Sequence, residues 1–437
     1  MHWQTSVRSL RGIQSEPMFK FIHAADIHLD SPLRGLERYE GAPVDAIRQA
    51  TRRALENLVR LAIQNQVAFV LLAGDLYDGD WKEFRTGLFF VSQMVKLREA
   101  GIPVYLIAGN HDAANKMTRR LPLPENVSVF PPDEPKTLVL PDCDVAIHGQ
   151  SFARASVLEN LSQNYPAADS GLFNIGLLHT AATGREGHEP YAPCTVEGLR
   201  AKHYDYWALG HVHKQEVLCD DPPILFSGNI QGRHIRETGP KGCVMVTVDD
   251  RHATELQWQW LDVFRWEYCR VDASSATTGD DMLDRVRQRL SHLVAAADGR
   301  SLAVRVEVAG SCRAHRALAA EPNRWTNEIR ALAQDVGGGE LWIEKVQLRT
   351  ALPADTAGQS LDGPIGELVQ RIAELKTDPQ DLANLGGEFS DLLEKLPPEL
   401  KEGSESLGLE RPEKLREMLD QVEQMLIHQL LAREGPP

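Results

Sequence analysis

The hydrophobic pattern of the chain is dominated by short apolar runs that stop abruptly at Asp, Asn or His. Five stand out: Phe21–His28, Val70–Asp78, Val104–Asp112, Ile175–His179 and Trp207–His213. Apolar runs of this length bounded by glycine predict buried strands. Each strand would then deliver polar side chains at its C-terminal end, the edge where open α/β sheets bind ligands. Between the first three runs the period changes to that of a helix. Ile47, Ala54, Leu55, Leu58, Leu61 and Ala62 predict a helix over 44–65, and a second is expected over 86–100, closed by Gly101. Strands alternating with helices imply a parallel or mixed sheet covered by helices.

After Asn126 the pattern turns to short strands, expected at 127–130, 137–140, 145–149, 175–179, 224–228, 243–248 and 254–260. We read these as a second, more antiparallel sheet packed on the first. A boundary is expected near Val263. Beyond it a strand, helix, strand, helix, strand order (266–271, 280–297, 302–309, 323–335, 341–349) predicts a small α/β module. From Ala351 onward Pro and Gly punctuate short amphipathic helices. The last helix, opened by Pro412 and closed by Gly435, repeats Leu415, Met418, Leu419, Val422, Met425, Leu426 and Leu430 at helical spacing. It either packs on its own domain or docks a partner. The expected division is therefore a disordered extension over 1–17, a catalytic domain over 18–263, a capping domain over 264–350 and an acidic, helical region over 351–437.

Composition narrows the class. The chain has 437 residues, 42% hydrophobic and 25% charged, as in soluble globular proteins. No apolar run is long enough to span a bilayer. The first seventeen residues carry Arg8 and Arg11 without an apolar core, so they do not read as a secretory signal. Six scattered cysteines with no Cys-x-x-Cys pair argue for a reducing cytoplasm and against a zinc ribbon or disulfide framework. Net charge is −15, of which −10 lies beyond residue 350, where 18 acidic face 8 basic residues. That balance weakens a nucleic-acid reading without excluding it, because bound divalent ions dominate the charge of their own site.

The strand ends supply the chemistry. Asp26 and His28 are two residues apart, a spacing that puts both on one face of a strand end. Asp75 follows Gly74, which lets backbone approach a metal closely, and Asp75 is the candidate bridging ligand. Asn110 offers a neutral carbonyl oxygen. His179, His211 and His213 complete the nitrogen ligands, and the last two could feed different metals. A mixed His, Asp and Asn set without thiolate suits manganese, iron or zinc better than copper or calcium. One Asp-x-His means little, but five such endings in order are strong together. Among the remaining histidines, His23 and His148 read as packing residues. His234, beside Arg233 and Arg236, and the run Lys116, Arg119, Arg120 are weaker candidates for a phosphate backbone.

Asp26-Ile27-His28, Gly74-Asp75-Leu76-Tyr77-Asp78, Gly109-Asn110-His111-Asp112, His179 and Gly210-His211-Val212-His213 resemble the five motifs of the calcineurin-like metallophosphoesterase superfamily, over about 19–248. Asp26–Leu33 and Ala73–Asp78 are similar to its SbcD-type nuclease branch. Ser227–Arg233 and Thr238–Gly242 are similar to the YhaO-type DNA repair exonucleases within it. The resemblance implies a two-sheet sandwich flanked by helices and two divalent metal ions, Mn2+ first, with Fe or Zn as alternatives. It implies one metal at Asp26, His28, Asp75 and His213, and the other at Asp75, Asn110, His179 and His211. His111 would assist the leaving group, aimed by Asp78.

The expected function is an exonuclease acting on DNA ends or single strands, working with an SMC-like ATPase. A homodimer through the nuclease domain is a further expectation of that branch, with no surface here to identify it. The alternatives are a phosphoesterase for small nucleotides and a non-catalytic assembly subunit. A phosphoprotein phosphatase is disfavoured, because that branch has Arg after the second Asp of its second motif, where this chain has Gly79.

Overall fold

The structure is a computed structural model describing residues 17–31, 41–78, 84–113, 122–182, 191–353, 364–396, 408–409 and 411–434. The expected extension up to residue 16, Pro32, Leu33, Gly79, the basic run Lys116, Arg119, Arg120, and Gly435 lie outside them. Two compact units emerge: residues up to Glu267 with Arg300–Ala303, and Tyr268–Gly299 with the rest of the chain.

The first unit contains two six-stranded sheets. One is built from β1 (Pro17–Ala24), β2 (Phe69–Ala73), β3 (Val104–Ile107), β4 (Val127–Val129), β11 (Gly242–Asp249) and β12 (Thr254–Trp260), in the order β12-β11-β1-β2-β3-β4. Strands β1 to β4 run parallel, and β11 and β12 add antiparallel. Helices α1 (Val44–Gln64) and α2 (Phe84–Glu99) make the crossovers. The other sheet comprises β5 (Lys136–Leu140), β6 (Val145–Gly149), β7 (Phe173–His179), β8 (Tyr206–Gly210), β9 (Glu216–Asp220) and β10 (Pro223–Phe226), in the order β5-β6-β7-β8-β10-β9.

This corrects the expected second sheet in two ways. β4, β11 and β12 belong to the first sheet. The centre of the second, β6-β7-β8-β10, is parallel, and only its edges β5 and β9 are antiparallel. The segments joining β6 to β7 and β7 to β8 are too long for hairpins. Their described residues carry only short helical turns and α4 (Val196–Arg200), so no helical period marks them as crossovers. Strand β9 has no counterpart in the expected set.

Parallel strands buried on both faces explain why the runs do not alternate. Phe21, Phe69, Leu71, Ile107, Phe173, Ile175, Leu177 and Tyr206 fill the space between the sheets. Rings at Phe21 and Phe69 stack at 5.0 Å, and Phe21 meets Tyr206 edge-on at 5.2 Å. Ile22, Val70, Leu72, Val104 and Leu106 face the opposite way, onto Leu55, Leu58, Phe90, Met94 and Leu97 of α1 and α2.

His23 is one polar member of this interior and packs as expected. It is fully buried, with Nδ1 against the Tyr206 hydroxyl at 3.0 Å and Nε2 against the Leu209 carbonyl at 3.1 Å. Burial lowers its pKa from the usual 6.5 to about 3, although the Leu209 contact works the other way. As pH falls, the unfolded chain therefore takes up this proton first. The stability tied to neutral His23 is full above pH 6.5 and drains toward pH 3, at about 1.4 kcal/mol per unit. Chemical denaturation from pH 8 to pH 5 should show a steeper loss for the native chain than for His23→Gln. Parallel curves would refute it.

A three-stranded sheet comprises β13 (Phe264–Asp272), β14 (Ser301–Ser311) and β15 (Leu341–Ala351), with β14 central and most of its residues in the second unit. Helix α5 (Gly279–Ala296) starts with a capping box between Thr278 and Asp281. It packs on α7 (Pro322–Gly337), which lies on β15. A short helix missed in the sequence, α6 (His315–Ala320), precedes α7. Helices α8 (Pro364–Thr377), α9 (Pro379–Gly387), α10 (Ser390–Lys395) and α11 (Pro412–Glu434) follow. α11 packs against α6, α8 and α9. Leu415 is buried there, and Lys376 of α8 pairs with Asp420 and Glu423. Packing within its own unit is the arrangement observed, while Met418, Val422 and Leu430 stay exposed. All six cysteines are free. Among the described residues, no helix is long and apolar enough to cross a membrane.

Candidate metal centre

Each of the five sequence motifs follows the C-terminal end of a strand, three in one sheet and two in the other. β1 leads to Asp26 and His28, β2 to Asp75 and Asp78, and β3 to Asn110 and His111 on the short turn α3 (Asn110–Ala113). β7 ends on His179 itself, and β8 leads to His211 and His213. Strand alternation does not aim Asp26 and His28, as the spacing suggested, because β1 has already ended at Ala24. Backbone conformation does so instead. Asp26, His28, Asp75 and His211 all have positive φ, at 50°, 44°, 50° and 99°. Left-handed backbone at non-glycine residues is uncommon and clusters at functional sites.

Glycines let the sheets close around these side chains. A Cβ on Gly210 would lie 1.9 Å from the Ala73 carbonyl oxygen, across from one sheet to the other. A Cβ on Gly74, whose φ is +92°, would lie 2.4 Å from His179 Nδ1.

The structure brings the predicted ligands into overlapping groups. Asp26, His28 and His213 converge, as do Asp75, His179 and His211, with donor atoms within 4.8 Å of one another in each group. A third group joins His28 to Asp78 and His111. Asp75 sits between the first two: its Oδ2 is 3.5 Å from His179 Nε2 and 3.8 Å from His28 Nε2. Asn110 Oδ1 is 3.0 Å from His179 Nε2. His28 Nε2 and His213 Nε2 approach to 3.0 Å.

This donor set fits divalent cations. Two imidazole nitrogens turned toward each other beside a buried carboxylate are arranged as ligands rather than as packing. The buried Nδ1 of His28 has no hydrogen-bond partner among the described residues. Tautomers agree with this role. His179 Nδ1–H donates to the Ala73 carbonyl at 2.9 Å, which leaves Nε2 free as a ligand. His213 Nδ1–H donates to Glu237 at 2.7 Å, with the same consequence.

Electrostatics divide the groups. Burial opposes a charge on His179, but Asp75 and Asp26 outweigh it and raise the pKa to about 9. Burial also opposes ionisation of Asp75, yet His179, His28 and His111 hold its carboxyl below the usual range. Burial, with Arg233 and His213 adding to it, pushes His28 well below 6.5. In the third group, His111 Nδ1–H donates to Asp78 Oδ1 at 2.8 Å, and that bond raises His111. The side chain of His111 is 39% exposed, whereas those of His28 and His179 are fully buried.

Several participants escaped sequence reasoning. Asp112 accepts the backbone N–H groups of Leu76, Tyr77 and Gly109 at 3.0–3.1 Å, tying the second and third motifs together. Burial, reinforced by the Asp75 charge, pushes its carboxyl up to about 6. Asp30 pairs with Arg52 of α1 and accepts from Thr86 of α2, anchoring the first motif to both helices. Glu237 and the side-chain role of Arg233 were also missed. Of the weaker candidates, His148 packs on Tyr204 and bonds Thr137 and Asn174. His234 is half exposed, 3.6 Å from Glu237.

A sandwich that gathers buried carboxylates and histidines at its strand ends is a scaffold for metal-dependent hydrolysis. Comparison with known proteins agrees. Residues 19–215 match the calcineurin-like phosphoesterase model, and residues 266–351 match the middle domain of metallophosphoesterase YhaO. The uncharacterized metallophosphoesterase YhaO of Bacillus subtilis is 36% identical over 277 residues, covering 62% of this chain and 68% of that protein. The DNA double-strand break repair protein Mre11 of Sulfurisphaera tokodaii is 26% identical over 233 residues, covering 49% and 56%. A dimetal phosphatase from Danio rerio is a distant structural likeness, at 11% identity and a TM-score of 0.35 over 56% of this chain and all of that one. The chain belongs to the calcineurin-like metallophosphoesterase family.

Proposed function

We propose that this chain is a dinuclear-metal phosphodiesterase that shortens DNA from its ends or as single strands, in repair and together with an SMC-like ATPase. The carrying observation is Asp75, which stands between two ligand groups that each draw on both sheets, with His111 and Asp78 beside them. Asp26, His28, Asp75 and His213 would hold one ion, and Asp75, Asn110, His179 and His211 the other, manganese being the first choice. When bound, two such ions polarise a water for attack on phosphorus and neutralise the phosphate charge.

The remaining chemistry falls to the chain. His111 commits Nδ1–H to Asp78, which leaves Nε2 to carry a proton to the leaving oxygen. Asp112 holds the second and third motifs at one spacing, and the Gly74 carbonyl, accepting from the Asp26 N–H at 3.1 Å, holds the first to the second, so the reacting groups are fixed before substrate arrives. The DNA reading draws support from the Mre11 likeness. A second reading, a phosphodiesterase for small nucleotides, draws support from the net charge of −15.

The purified chain with Mn2+ is given end-labelled single- and double-stranded DNA, with a small phosphodiester alongside and Asp75→Asn as control. Stepwise shortening of DNA that Asp75→Asn abolishes supports the exonuclease. Turnover of the small ester with DNA left intact, even with the ATPase added, supports the second reading.

A further inference from the structure

We propose that Arg233 and Glu237 are positioning residues that lock the ligand His213 and the His111–Asp78 pair into one frame, an inference that rests on the phosphodiesterase reading above. Both lie in the segment after β10, outside the five strand-end motifs in sequence. Glu237 is buried to 6% exposure yet carries a carboxylate. It is saturated with donors: the backbone N–H of Arg233 at 2.8 Å, Asn229 Nδ2 at 2.9 Å, Arg233 Nη2 at 2.8 Å and His213 Nδ1 at 2.7 Å. A buried charge of this kind is costly unless fully paired.

The other end of the Arg233 fork reaches across to the second motif. Nη1 donates to Asp78 Oδ2 at 3.2 Å. Asp78 presents its remaining oxygen, Oδ1, to His111. The order of contacts is thus His213, Glu237, Arg233, Asp78, His111. It joins the fifth motif to the second and third through one guanidinium. A planar fork can hold two carboxylates at fixed angles, which an ammonium cannot. Lys241, also buried, braces the same segment by donating to the His213 carbonyl at 3.0 Å.

Two separable effects follow. Glu237 fixes the tautomer and angle of His213, so it acts on metal affinity. Arg233 fixes Asp78, and through it His111, so it acts on turnover.

The full-length chain and its Glu237→Gln, Arg233→Gln and Arg233→Lys variants are titrated calorimetrically with Mn2+ alone. Then kcat and KM are measured on bis(p-nitrophenyl) phosphate at saturating Mn2+, with thermal melting as the check on folding. Glu237→Gln is expected to bind Mn2+ about 10–100-fold more weakly. Arg233→Gln is expected to lose about tenfold or more in kcat with KM unchanged, and Arg233→Lys not to restore it. If Arg233→Gln melts early, Glu237→Asp keeps the charge but withdraws the carboxylate from His213, and weaker Mn2+ binding is again expected. A rise in KM alone would make Arg233 a substrate-binding group and overturn the proposal. Full rescue by Lys, or unchanged affinity and kcat, would also overturn it. Native protein that binds no Mn2+ overturns the phosphodiesterase reading and this inference together. Normal native binding and turnover with unaltered variants overturns the inference alone.

Discussion

Asp75→Asn is expected to leave the sandwich folded and to lower metal-dependent turnover by about a thousandfold or more. Asp75 stands between both ligand groups, near His28 on one side and His179 on the other. Asparagine keeps its size and can still accept the His111 backbone N–H that Asp75 Oδ1 takes at 3.0 Å. What it removes is the negative charge and the second anionic oxygen, which a bridging ligand must supply. Metal-assisted phosphate chemistry draws several kcal/mol from paired cations, and about 1.4 kcal/mol is a factor of ten in rate. Metal content measured on the dialysed protein should fall from two ions per chain to one or none. Two ions retained with full turnover would remove Asp75 from the centre.

His111→Ala should do the reverse: metal content stays, and kcat falls by about 10^2 to 10^4. His111 stands outside the two buried ligand groups, and its Nδ1 is occupied by Asp78. Its ring meets His28 edge-on at 5.0 Å, beside the ligand groups. Removing the imidazole takes away a proton carrier while leaving Asp75 and Asn110 in place. Asp78→Asn should give a smaller loss of the same kind, since the ring remains but is less firmly aimed. Both are read as kcat at saturating metal, with metal content measured in parallel. Normal turnover in His111→Ala would assign the proton to another group.

Much of the site was legible because its candidate ligands lie at, or within four residues of, the ends of their strands. An apolar run predicts a buried strand, and whatever follows the run must emerge at its end. Asp26, His28, Asp75, Asn110, His179, His211 and His213 were therefore visible as strand-end residues before any tertiary information. Left-handed backbone at Asp26, His28, Asp75 and His211 was not visible: Asp and His enter that region more often than most residues, but still too rarely for a sequence to signal it.

Other features depended on contacts far apart in sequence. Strands β11 and β12 read locally like any others, and only pairing with β1 placed them in the first sheet. The parallel centre of the second sheet was hidden because its crossovers lack a helical period. Glu237 meets its partner His213 across 24 positions, from a loop with no apolar run to announce it. Arg233 could be marked by its motif, but only the folded chain revealed that its fork ties His213 to His111.

The sequence by itself determined the candidate ligand types, their order and the strands that carry them, since these are properties of short covalent neighbourhoods. The tertiary structure decided which ligands share a group, how each imidazole is turned and what braces them, since those depend on two sheets closing against each other.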